Sequence, residues 1–434
     1  MSVKGALCVL CATAAFVVAG AAARGGTYYV AATGSDSNAG TSDQPWLTLD
    51  RAVNAAQPGD TISVGPGTYA GCTITASGQE GKPKVLKAGT PGTVTLNALG
   101  PRNRKGSILE VYKSVEETVG YWVIDGIKVE AGGDKGGIDL RHTTHCAVVN
   151  CESVGARTWG IYASYAESLV LENNVSHNVG REHGYYVANG SDNGVIRGNK
   201  AFDATGQGIQ INADVTMPES DGISSNFLVE ANIVHDVGGV GLNMDGVERS
   251  TFRNNLVYNF GDKGLTLFAI DAAVASRNNR VLNNTIVSRS DGKSYFCLTI
   301  RHTNDPSKPA PVGNKLFNNI LYHYNTAGVG SMNVDKTGFE GFESDYNVVM
   351  DYFGMDDNEQ HETLAQWRER GYDKHSIQAA AADLFVAPGA GDFHLKAGSP
   401  AIDKGTKLED VTQDLDGKKR PQGAAYDIGC YEHE

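Results

Sequence analysis

The strongest constraint in this sequence is a short strand pattern that recurs at nearly fixed intervals. Each copy alternates apolar and polar residues after a small residue, as in "GIQINA" from Gly208 and "GLNMDG" from Gly241. The copies begin at residues 137, 160, 184, 208, 241, 264 and 297, so their spacings are 23, 24, 24, 33, 23 and 33 residues. A repeat of this length indicates a solenoid, in which each turn of the chain stacks on the previous turn.

A second short strand follows these copies and closes on an asparagine. The segments VLENNV, VIRGNK, LVEANI, TFRNNL, RVLNNT and KLFNNI place these residues at Asn174, Asn199, Asn232, Asn255, Asn284 and Asn319. Two or three short strands per turn, separated by Gly, Asn and Asp, predict an all-β parallel β-helix. We interpret the asparagines as structural, because stacked Asn side chains at a corner can bond to each other and to the turn backbone.

Helix signals flank the repeat. Apolar residues at i, i+3, i+4 and i+7 begin at Leu49, directly after the N-cap candidate Thr48, and predict a short capping helix over the first coil. Thr363 and Gln366 form a capping-box pattern that predicts another short helix through Arg370. The remaining tail is expected to form an irregular C-terminal cap.

The N-terminus has the features of a secretory signal peptide, namely Lys4, a long apolar run and small residues up to Ala23. An uncleaved membrane anchor is the alternative. We expect a secreted or periplasmic bacterial protein with no membrane span after cleavage. Cleavage would remove Cys8 and Cys11, and the spacing of the other five cysteines matches no zinc pattern, so their expected role is buried packing.

These features divide the chain into four segments. We predict a signal peptide at 1–23, an N-terminal cap with the first coils at 24–110, the β-helix repeat with a substrate groove at 111–345, and a C-terminal capping segment at 346–434.

Both ends of the mature chain resemble a known family. The segment TYYVAATGSDSNAGTSDQPWLTLDRAVNAAQPGDTISVGPGTY and the tail segments DFHLKAGSPAIDKG and RPQGAAYDIGCYE resemble secreted bacterial right-handed parallel β-helix proteins. The N-terminal segment is similar to that of family 9 pectate lyases. This resemblance implies a right-handed helix and a lyase with an aspartate-rich calcium cluster and a lysine base. The family's cluster begins with adjacent aspartates on a coil, whereas Asp356-Asp357 lies beyond the coils of this chain.

The alternation along each strand separates inward from outward side chains. The first and third residues after each starting residue are mostly apolar and are predicted to point inward. The intervening residues form two outward columns over a strip about 29 Å long, which suits a polar linear polymer. The first column is Asp139, Tyr162, Tyr186, Gln210, Asn243, Thr266 and Thr299, and the second is Arg141, Ser164, Ala188, Asn212, Asp245, Phe268 and Arg301.

The net charge of -13 argues against a nucleic-acid partner, because phosphates require a basic surface. An acidic groove also repels uronates unless a cation intervenes. We therefore predict a Ca²⁺ site built from Asp214, Asp245 and Asp271, since carboxylate oxygens are ligands of this ion. Two of these residues begin the insertions that lengthen two coils, and the insertions are predicted to wall the groove.

The candidate catalytic residues occupy the middle coils. β-Elimination needs a base beside the uronate and a cation for the developing charge, for which Lys263, Tyr186, His183, Arg301 and Asp245 are candidates. The predicted substrate-binding residues are Tyr162, Gln210, Asn212, Asn243, Phe268 and Arg141.

The leading hypothesis is a polysaccharide lyase that acts on a uronic-acid-containing polysaccharide. One alternative is a glycoside hydrolase that uses Asp245 with Asp214 or Asp271 as acid and base. Others are a non-catalytic polysaccharide-binding solenoid and an epimerase. The expected partner is a polysaccharide, with no nucleic acid, and the expected state is a monomer.

Overall fold

The computed structural model of the chain describes residues 25–303, 305–325 and 327–434. The predicted signal peptide, including Cys8 and Cys11, lies outside the described residues. Within these ranges, no helix combines the length and the apolar character needed to cross a membrane.

The fold is an all-β, right-handed parallel β-helix, as the sequence predicts. Each complete coil contributes one strand to each of three parallel sheets, which we call faces 1, 2 and 3. The coil that begins at Tyr185, for example, runs through Tyr185–Ala188 on face 1, Val195–Arg197 on face 2 and Lys200–Ala204 on face 3. The next coil then begins at Ile209.

The strand bounds follow the three faces. Face 1 contains Cys72–Ile74, Ser107–Val111, the first half of Gly136–Val149, Ile161–Glu167, Tyr185–Ala188, Ile209–Asn212, Leu242–Asp245, Leu265–Phe268, Leu298–Ile300, Met332–Val334, Phe353–Met355 and the antiparallel Gln360–Glu362. Face 2 contains Thr27–Val30, Thr61–Val64, Lys84–Ala88, Val119–Asp125, the second half of Gly136–Val149, Val170–Glu172, Val195–Arg197, Leu228–Glu230, Thr251–Arg253, Arg280–Leu282, Lys315–Phe317 and Glu343–Asp345. Face 3 contains Gly67–Ala70, Val94–Ala98, Lys128–Glu130, Glu152–Val154, Val175–Val179, Lys200–Ala204, Ile233–Val237, Leu256–Phe260, Thr285–Val287 and Ile320–Tyr322.

Two small sheets and five short helices complete the described part of the chain. The sheets are the parallel pair Ser224–Ser225 with Val247–Glu248 and the antiparallel pair Phe385–Ala387 with Asp392–Leu395. The helices are the α-helices Leu49–Ala55, Leu364–Glu369 and Ala381–Leu384 and the 3₁₀ helices Lys336–Phe339 and Pro388–Ala390.

The asparagines form a continuous buried ladder between faces 2 and 3, which confirms their structural interpretation. The side-chain oxygen of Asn232 accepts from the backbone N–H and the amide of Asn199, both at 3.0 Å. Its amide donates to the carbonyl of Ile196 and to Asn255, both at 2.9 Å. Asn174, Asn199, Asn255, Asn284, Asn319 and Asn347 are also fully buried members.

Both predicted helices are present at the ends of the coils. Thr48 caps Leu49–Ala55 by accepting from the N–H of Arg51, and the apolar side of this helix is buried. Thr363 and Gln366 form the predicted capping box of Leu364–Glu369. The buried Trp367 of that helix stacks on Phe353, the start of a face 1 strand, with ring centroids 4.8 Å apart.

The tail extends beyond the end of the β-helix and folds back along face 3. Leu384, Phe385 and Phe393 of the tail form a second core with the outward Leu256 and Ile320. The buried ion pair between Arg420 and Glu432 and the salt bridge between Arg280 and Asp410 fix the tail further. The five cysteines of the described residues are all free and buried, as expected for packing groups.

The ladder generates the first prediction. Asn232→Ala removes a donor and an acceptor from a fully buried position, so it should lower the free energy of unfolding by roughly 2–3 kcal/mol. Asn97→Ala, on an exposed strand position, is the matched control and should change it by less than about 0.5 kcal/mol. Chemical denaturation of both variants measures the difference, and equal stabilities would contradict the role of the ladder.

Candidate functional site

The outward columns of face 1 align as the alternation predicts. Backbone pairing places Tyr186 beside Gln210, Gln210 beside Asn243, and Asn243 beside Thr266. In the second column, Asn212 lies beside Asp245 and Asp245 beside Phe268. The inward partners, such as Ile211 and Leu242, are fully buried. The predicted register of face 1 is therefore confirmed.

Many residues of these columns are nevertheless covered. Asp245 is 1% exposed and Asn212 5%, because the two coil insertions lie over the second column. The insertions contact each other: the N–H of Val215 donates to the carbonyl of Asp271 at 3.1 Å, and that of Ala273 donates to Gly222 at 2.9 Å. A cluster of four buried alanines, Ala213, Ala269, Ala272 and Ala275, packs between them. The two insertions therefore form one wall along face 1.

Asp245 anchors this wall from below. Its carboxylate accepts from the N–H groups of Ile270 at 3.0 Å and Asp271 at 3.3 Å, and from the amide of Asn212 at 3.4 Å. Burial raises the pKa of Asp245 to about 6, against the lowering effect of the two backbone hydrogen bonds. The geometry therefore gives Asp245 the role of positioning the wall, instead of contacting a ligand directly.

The predicted calcium ligands do not fit such a site in this arrangement. Both oxygens of Asp245 accept from N–H donors of the wall, and Asp214 accepts from the backbone and hydroxyl of Thr216. Among the described residues, no group of three or more His, Cys, Asp or Glu side chains is placed to hold a metal ion. Ca²⁺ prefers six to eight oxygen ligands, which Asp214, Asp245 and Asp271 do not present together.

Lys263 and Arg301 meet at a pocket of about 180 Å³ on face 1. We call it the face 1 pocket. It lies beside the first column, and Phe268 and the exposed Ile270 of the wall supply an apolar side. Its further lining residues are Gln207, Val240, Asn243, Asp262, Thr266 and Thr299.

Each cation of the face 1 pocket has an acidic neighbour. The ammonium of Lys263 lies 2.7 Å from the carboxylate of Asp262 and 5.2 Å from the ring centre of Tyr295. The guanidinium of Arg301 lies 3.0 Å from the carboxylate of Asp357. All four charged side chains are partly exposed, so a ligand can reach them.

A polar row forms the floor of this pocket. The Thr266 hydroxyl donates to the oxygen of Asn243, whose amide donates to Gln210 at 3.1 Å. The row continues to Thr299 on the next coil. The Thr299 hydroxyl is buried and has no hydrogen-bond partner within the described part of the chain. A buried polar atom of this kind is costly unless a ligand or water satisfies it.

Tyr186 and His183 belong to a separate aromatic cluster upstream. Trp159 stacks on Tyr162 with ring centroids 4.4 Å apart, and Tyr186 contacts Tyr162 at 5.5 Å and His183 at 5.0 Å. The Trp159 indole N–H also donates to Glu182 at 2.7 Å. We call Trp159, Tyr162, Tyr186 and His183 the aromatic cluster.

Neither Tyr186 nor His183, the two candidate bases of this cluster, is in a state that favours proton abstraction. Burial raises the pKa of the Tyr186 phenol above its usual value. Burial also lowers the pKa of His183 to about 4, and its Nδ1 accepts from the N–H of Gln207 at 3.2 Å. The neutral ring then carries its proton on Nε2, where it acts as a donor.

Arg141 lies at the far end of the columns and is already paired. It binds the buried carboxylate of Asp139 through two nitrogens at 2.8 Å and lies 4.7 Å from the ring centre of Tyr162. It therefore supports the aromatic cluster from the upstream side.

The structure thus divides the predicted site residues into three groups. Lys263, Arg301, Asn243 and Phe268 line the face 1 pocket, with Gln210 hydrogen-bonded to its floor. Tyr162, Tyr186, His183 and Arg141 form or flank the aromatic cluster, whereas Asp214, Asp245, Asp271 and Asn212 belong to the wall or its base.

The sequence prediction missed four residues that line the face 1 pocket, Gln207, Val240, Asp262 and Ile270, and one member of the aromatic cluster, Trp159. Trp159 and Asp262 lie in the turns just before face 1 strands, and Ile270 lies on an insertion. For Trp159, an aromatic residue directly before the starting Gly160 was the available signal.

Comparison with known proteins supports the same architecture. A family model described as the Pel9A-like, right handed beta helix region matches residues 28–180. The crystal structure of pectate lyase Pel9A superposes with a TM-score of 0.67 at 17% identity, covering 95% of this chain and 97% of that chain. The protein has the right-handed parallel β-helix fold of that structure, and its residues 28–180 match the Pel9A-like family model.

Other relatives of this β-helix protein match over shorter segments or at lower similarity. Pectate lyase L of Dickeya chrysanthemi is 34% identical over 118 residues, which is 25% of this chain and 27% of the relative. Pectate lyase L of Dickeya dadantii (strain 3937) is 30% identical over the same length. The chain therefore matches about a quarter of the length of these curated relatives. The complex structure of XylC with xylose superposes with a TM-score of 0.51 at 10% identity, covering 94% and 98% of the two chains.

The matched family region ends before the face 1 pocket. Residues 28–180 include Trp159 and Tyr162, but Lys263 and Arg301 lie about 80 residues or more beyond its limit. The similarity therefore supports the scaffold, and the chemistry of the pocket has to be argued from its own residues.

The contact between the insertions generates the second prediction. Gly222 has a φ of +74°, and a Cβ there would lie 2.8 Å from atoms of both Val215 and Ala273. Gly222→Ala should separate the insertions and speed amide hydrogen exchange in residues 213–223 and 269–276. Gly92→Ala is the matched control, because Gly92 has the same φ of +74° with no atom near its Cβ position.

Both substitutions strain the backbone by about 1 kcal/mol. Faster exchange in both insertions of Gly222→Ala, and in neither insertion of Gly92→Ala, is the expected result. Unchanged exchange in Gly222→Ala would show that the insertions do not depend on each other.

Proposed function

We propose that this protein cleaves a uronic-acid-containing polysaccharide by β-elimination, with the reacting sugar bound in the face 1 pocket. The observation that carries the proposal is that Lys263 and Arg301 line one pocket together with a row of hydrogen-bonding side chains. A uronate presents one carboxylate and several hydroxyl groups, so it matches both Arg301 and the polar row. Phe268 and Ile270 can contact the apolar side of the sugar ring.

In the proposed reaction, Lys263 is the base and Arg301 binds the carboxylate. Lys263 acts after its ammonium proton has passed to solvent water: its amine takes the proton from C5, the carbon beside the carboxylate, while Arg301 stabilises the negative charge that develops there. The electron pair of the C5–H bond forms a C4–C5 double bond, and the C4–O glycosidic bond breaks. The leaving oxygen takes a proton from water. The products are a new reducing end and an unsaturated uronate.

Because the acidic neighbours of Lys263 and Arg301 are exposed, replacing one of them with a substrate carboxylate costs little free energy. Asp262 is about half exposed and so is Asp357, and exposed ion pairs contribute only about 0–1 kcal/mol. A substrate carboxylate can therefore replace Asp357 at Arg301 without a large net loss of electrostatic energy. This exchange at Arg301 offsets, without a metal ion, part of the electrostatic repulsion between a polyanion and a protein with a net charge of -13.

The aromatic cluster supports binding of a polymer instead of a single sugar. Tyr186 lies two coils from Asn243, which corresponds to about 10 Å along the strip. The half-buried rings of Trp159 and Tyr186 can contact sugar units on that side of the reacting one. We assign Tyr186 to binding, because its raised pKa opposes loss of the phenol proton.

The hydrolase alternative has less support. It required Asp245 to pair with Asp214 or Asp271 at the substrate, but Asp245 is 1% exposed and its oxygens hold the wall. A proposed extracellular or periplasmic location still rests on the signal-peptide pattern of residues 1–23.

Substitution of the proposed base gives the third prediction. Lys263→Ala should lower kcat by roughly 100- to 10,000-fold with a smaller change in KM, because the base acts in the transition state. Lys200→Ala, an exposed lysine on face 3, should leave both constants unchanged. Ultraviolet absorbance of the unsaturated product, measured on a panel of uronate polysaccharides, follows the reaction.

New reducing ends without ultraviolet absorbance would indicate hydrolysis and would contradict the proposal. Near wild-type turnover of Lys263→Ala on a substrate that the protein cleaves would exclude Lys263 as the base.

Two substitutions of Tyr186 give the fourth prediction. Tyr186→Phe keeps the ring and should retain kcat within about twofold, whereas Tyr186→Ala should raise KM by about tenfold on long substrates. Steady-state kinetics on a polymer and on a disaccharide separate the two effects, since the disaccharide does not reach the aromatic cluster. A loss of kcat in Tyr186→Phe as large as that in Lys263→Ala would instead make the phenol the base.

A further inference from the structure

A second pocket of about 360 Å³ lies between face 3 and the folded-back tail. We call it the face 3 pocket. It is larger than the face 1 pocket and shares no residue with it. The coils contribute Asp236, Tyr258, Asn259, Val287, Ser288, Ser290 and Tyr324, and the tail contributes Pro388, Gly389, Ala390, Gly391 and Phe393.

The pocket forms where an aromatic column on face 3 is interrupted. His177, Phe202, His235 and Tyr258 stack on successive coils with centroid distances of 4.7, 5.1 and 4.8 Å and are parallel within 11°. The next coil places Val287 in this position. The smaller side chain leaves space above the Tyr258 ring.

The tail fills this space only in part. Phe393 lies 4.8 Å from Tyr258 but is tilted by 46°, and the pocket opens beside both rings. The tail approaches closely at Gly391, where φ is +78° and a Cβ would lie 3.1 Å from the Tyr258 hydroxyl oxygen. Tyr324 supplies a third ring to the lining.

The polar groups of this pocket are neutral or acidic. Asp236 accepts from Nδ1 of His235 at 2.7 Å and from the amide of Asn259, and the hydroxyl groups of Ser288 and Ser290 lie nearby. None of the described residues that line the pocket is a lysine or an arginine. The neighbouring Arg289 binds Asp291 at 3.1 and 3.2 Å. The pocket therefore has the opposite charge character to the face 1 pocket.

We propose that the face 3 pocket binds a neutral sugar unit and acts as a binding site separate from the face 1 pocket. Three aromatic rings provide apolar contact area, while the carboxylate, amide and hydroxyl groups can bond to sugar hydroxyls. The volume is at the lower end of the usual range for small-ligand pockets, about 300–1,000 Å³, and suits one or two sugar rings. Asp236 disfavours a uronate at this site. The proposal does not depend on the activity of the face 1 pocket.

Binding of defined oligosaccharides tests the proposal. Isothermal titration calorimetry would use xylotriose, cellotriose and galactotriose as neutral probes and trigalacturonate as the acidic probe. At least one neutral probe should bind with a Kd below about 10 mM. Ser290→Trp places a large ring at an exposed lining position and should weaken that binding at least about tenfold. Ser42→Trp is the matched control at an exposed position near the N-terminus and should bind as the wild type does.

Tyr324→Ala provides an independent second variant, because it enlarges the pocket and removes one ring instead of blocking it. It should also weaken binding, and cooperative thermal unfolding of both variants verifies that they are folded. The proposal is overturned if no neutral probe binds below about 10 mM. It is equally overturned if Ser290→Trp binds as the wild type does, or if trigalacturonate binds at the same pocket as tightly as the neutral probe.

Discussion

The buried asparagine ladder is the interaction on which the rest of this structure depends. Each member bonds both to the next asparagine and to the backbone of the coil before it, so it fixes the height and the rotation of successive coils together. The preceding corner positions repeatedly adopt positive φ, for example Asn173, Asn254 and Asn283. Asparagine tolerates this conformation better than most residues, which explains the paired Asn-Asn of several repeats.

A fixed coil height determines what face 1 can present. Asn243, Thr266 and Thr299 come from three coils separated by 23 and 33 residues of sequence, yet they adjoin in one row. The ten extra residues of the longer coils leave the helix at the second column and do not disturb this alignment. The insertions can then pack on each other and on Asp245 to form a wall, while the core beneath them remains regular.

The sequence predicted the fold and the register well because both follow from local rules. Alternation assigned Ile211 and Leu242 to the interior and Gln210 and Asn243 to the outside, and the strand pairing confirms this. The capping box of Leu364–Glu369 and the asparagine ladder are similarly local patterns. These features need only the residue types and their spacing, without knowledge of distant contacts.

Tertiary contacts account for the features that the sequence analysis did not anticipate. Asp245 lies on the outward side of its strand as predicted, but the insertions cover it, and its oxygens bind their N–H groups. The same contacts remove the basis of the proposed calcium cluster. The path of the tail along face 3 likewise depends on apolar residues more than 100 positions apart, such as Leu256 and Phe393. Alternation alone assigns a side chain to a face and leaves open what packs over that face.

The distribution of charge over the faces is consistent with the acidic polymer that we propose as the substrate of this acidic protein. Lys263 and Arg301 are held at the face 1 pocket by Asp262 and Asp357, which are exposed enough to be exchanged for another carboxylate. Most other arginines around the coils are held by less exposed partners, as in the row formed by Arg197, Glu230 and Arg253. Those cations are unavailable, because exchange would leave a more buried carboxylate unpaired. A polyanion can therefore find replaceable partners at the face 1 pocket, despite the overall charge of -13. In the proposed function, selectivity for an acidic sugar follows from which ion pairs are exchangeable and does not require a positive net charge.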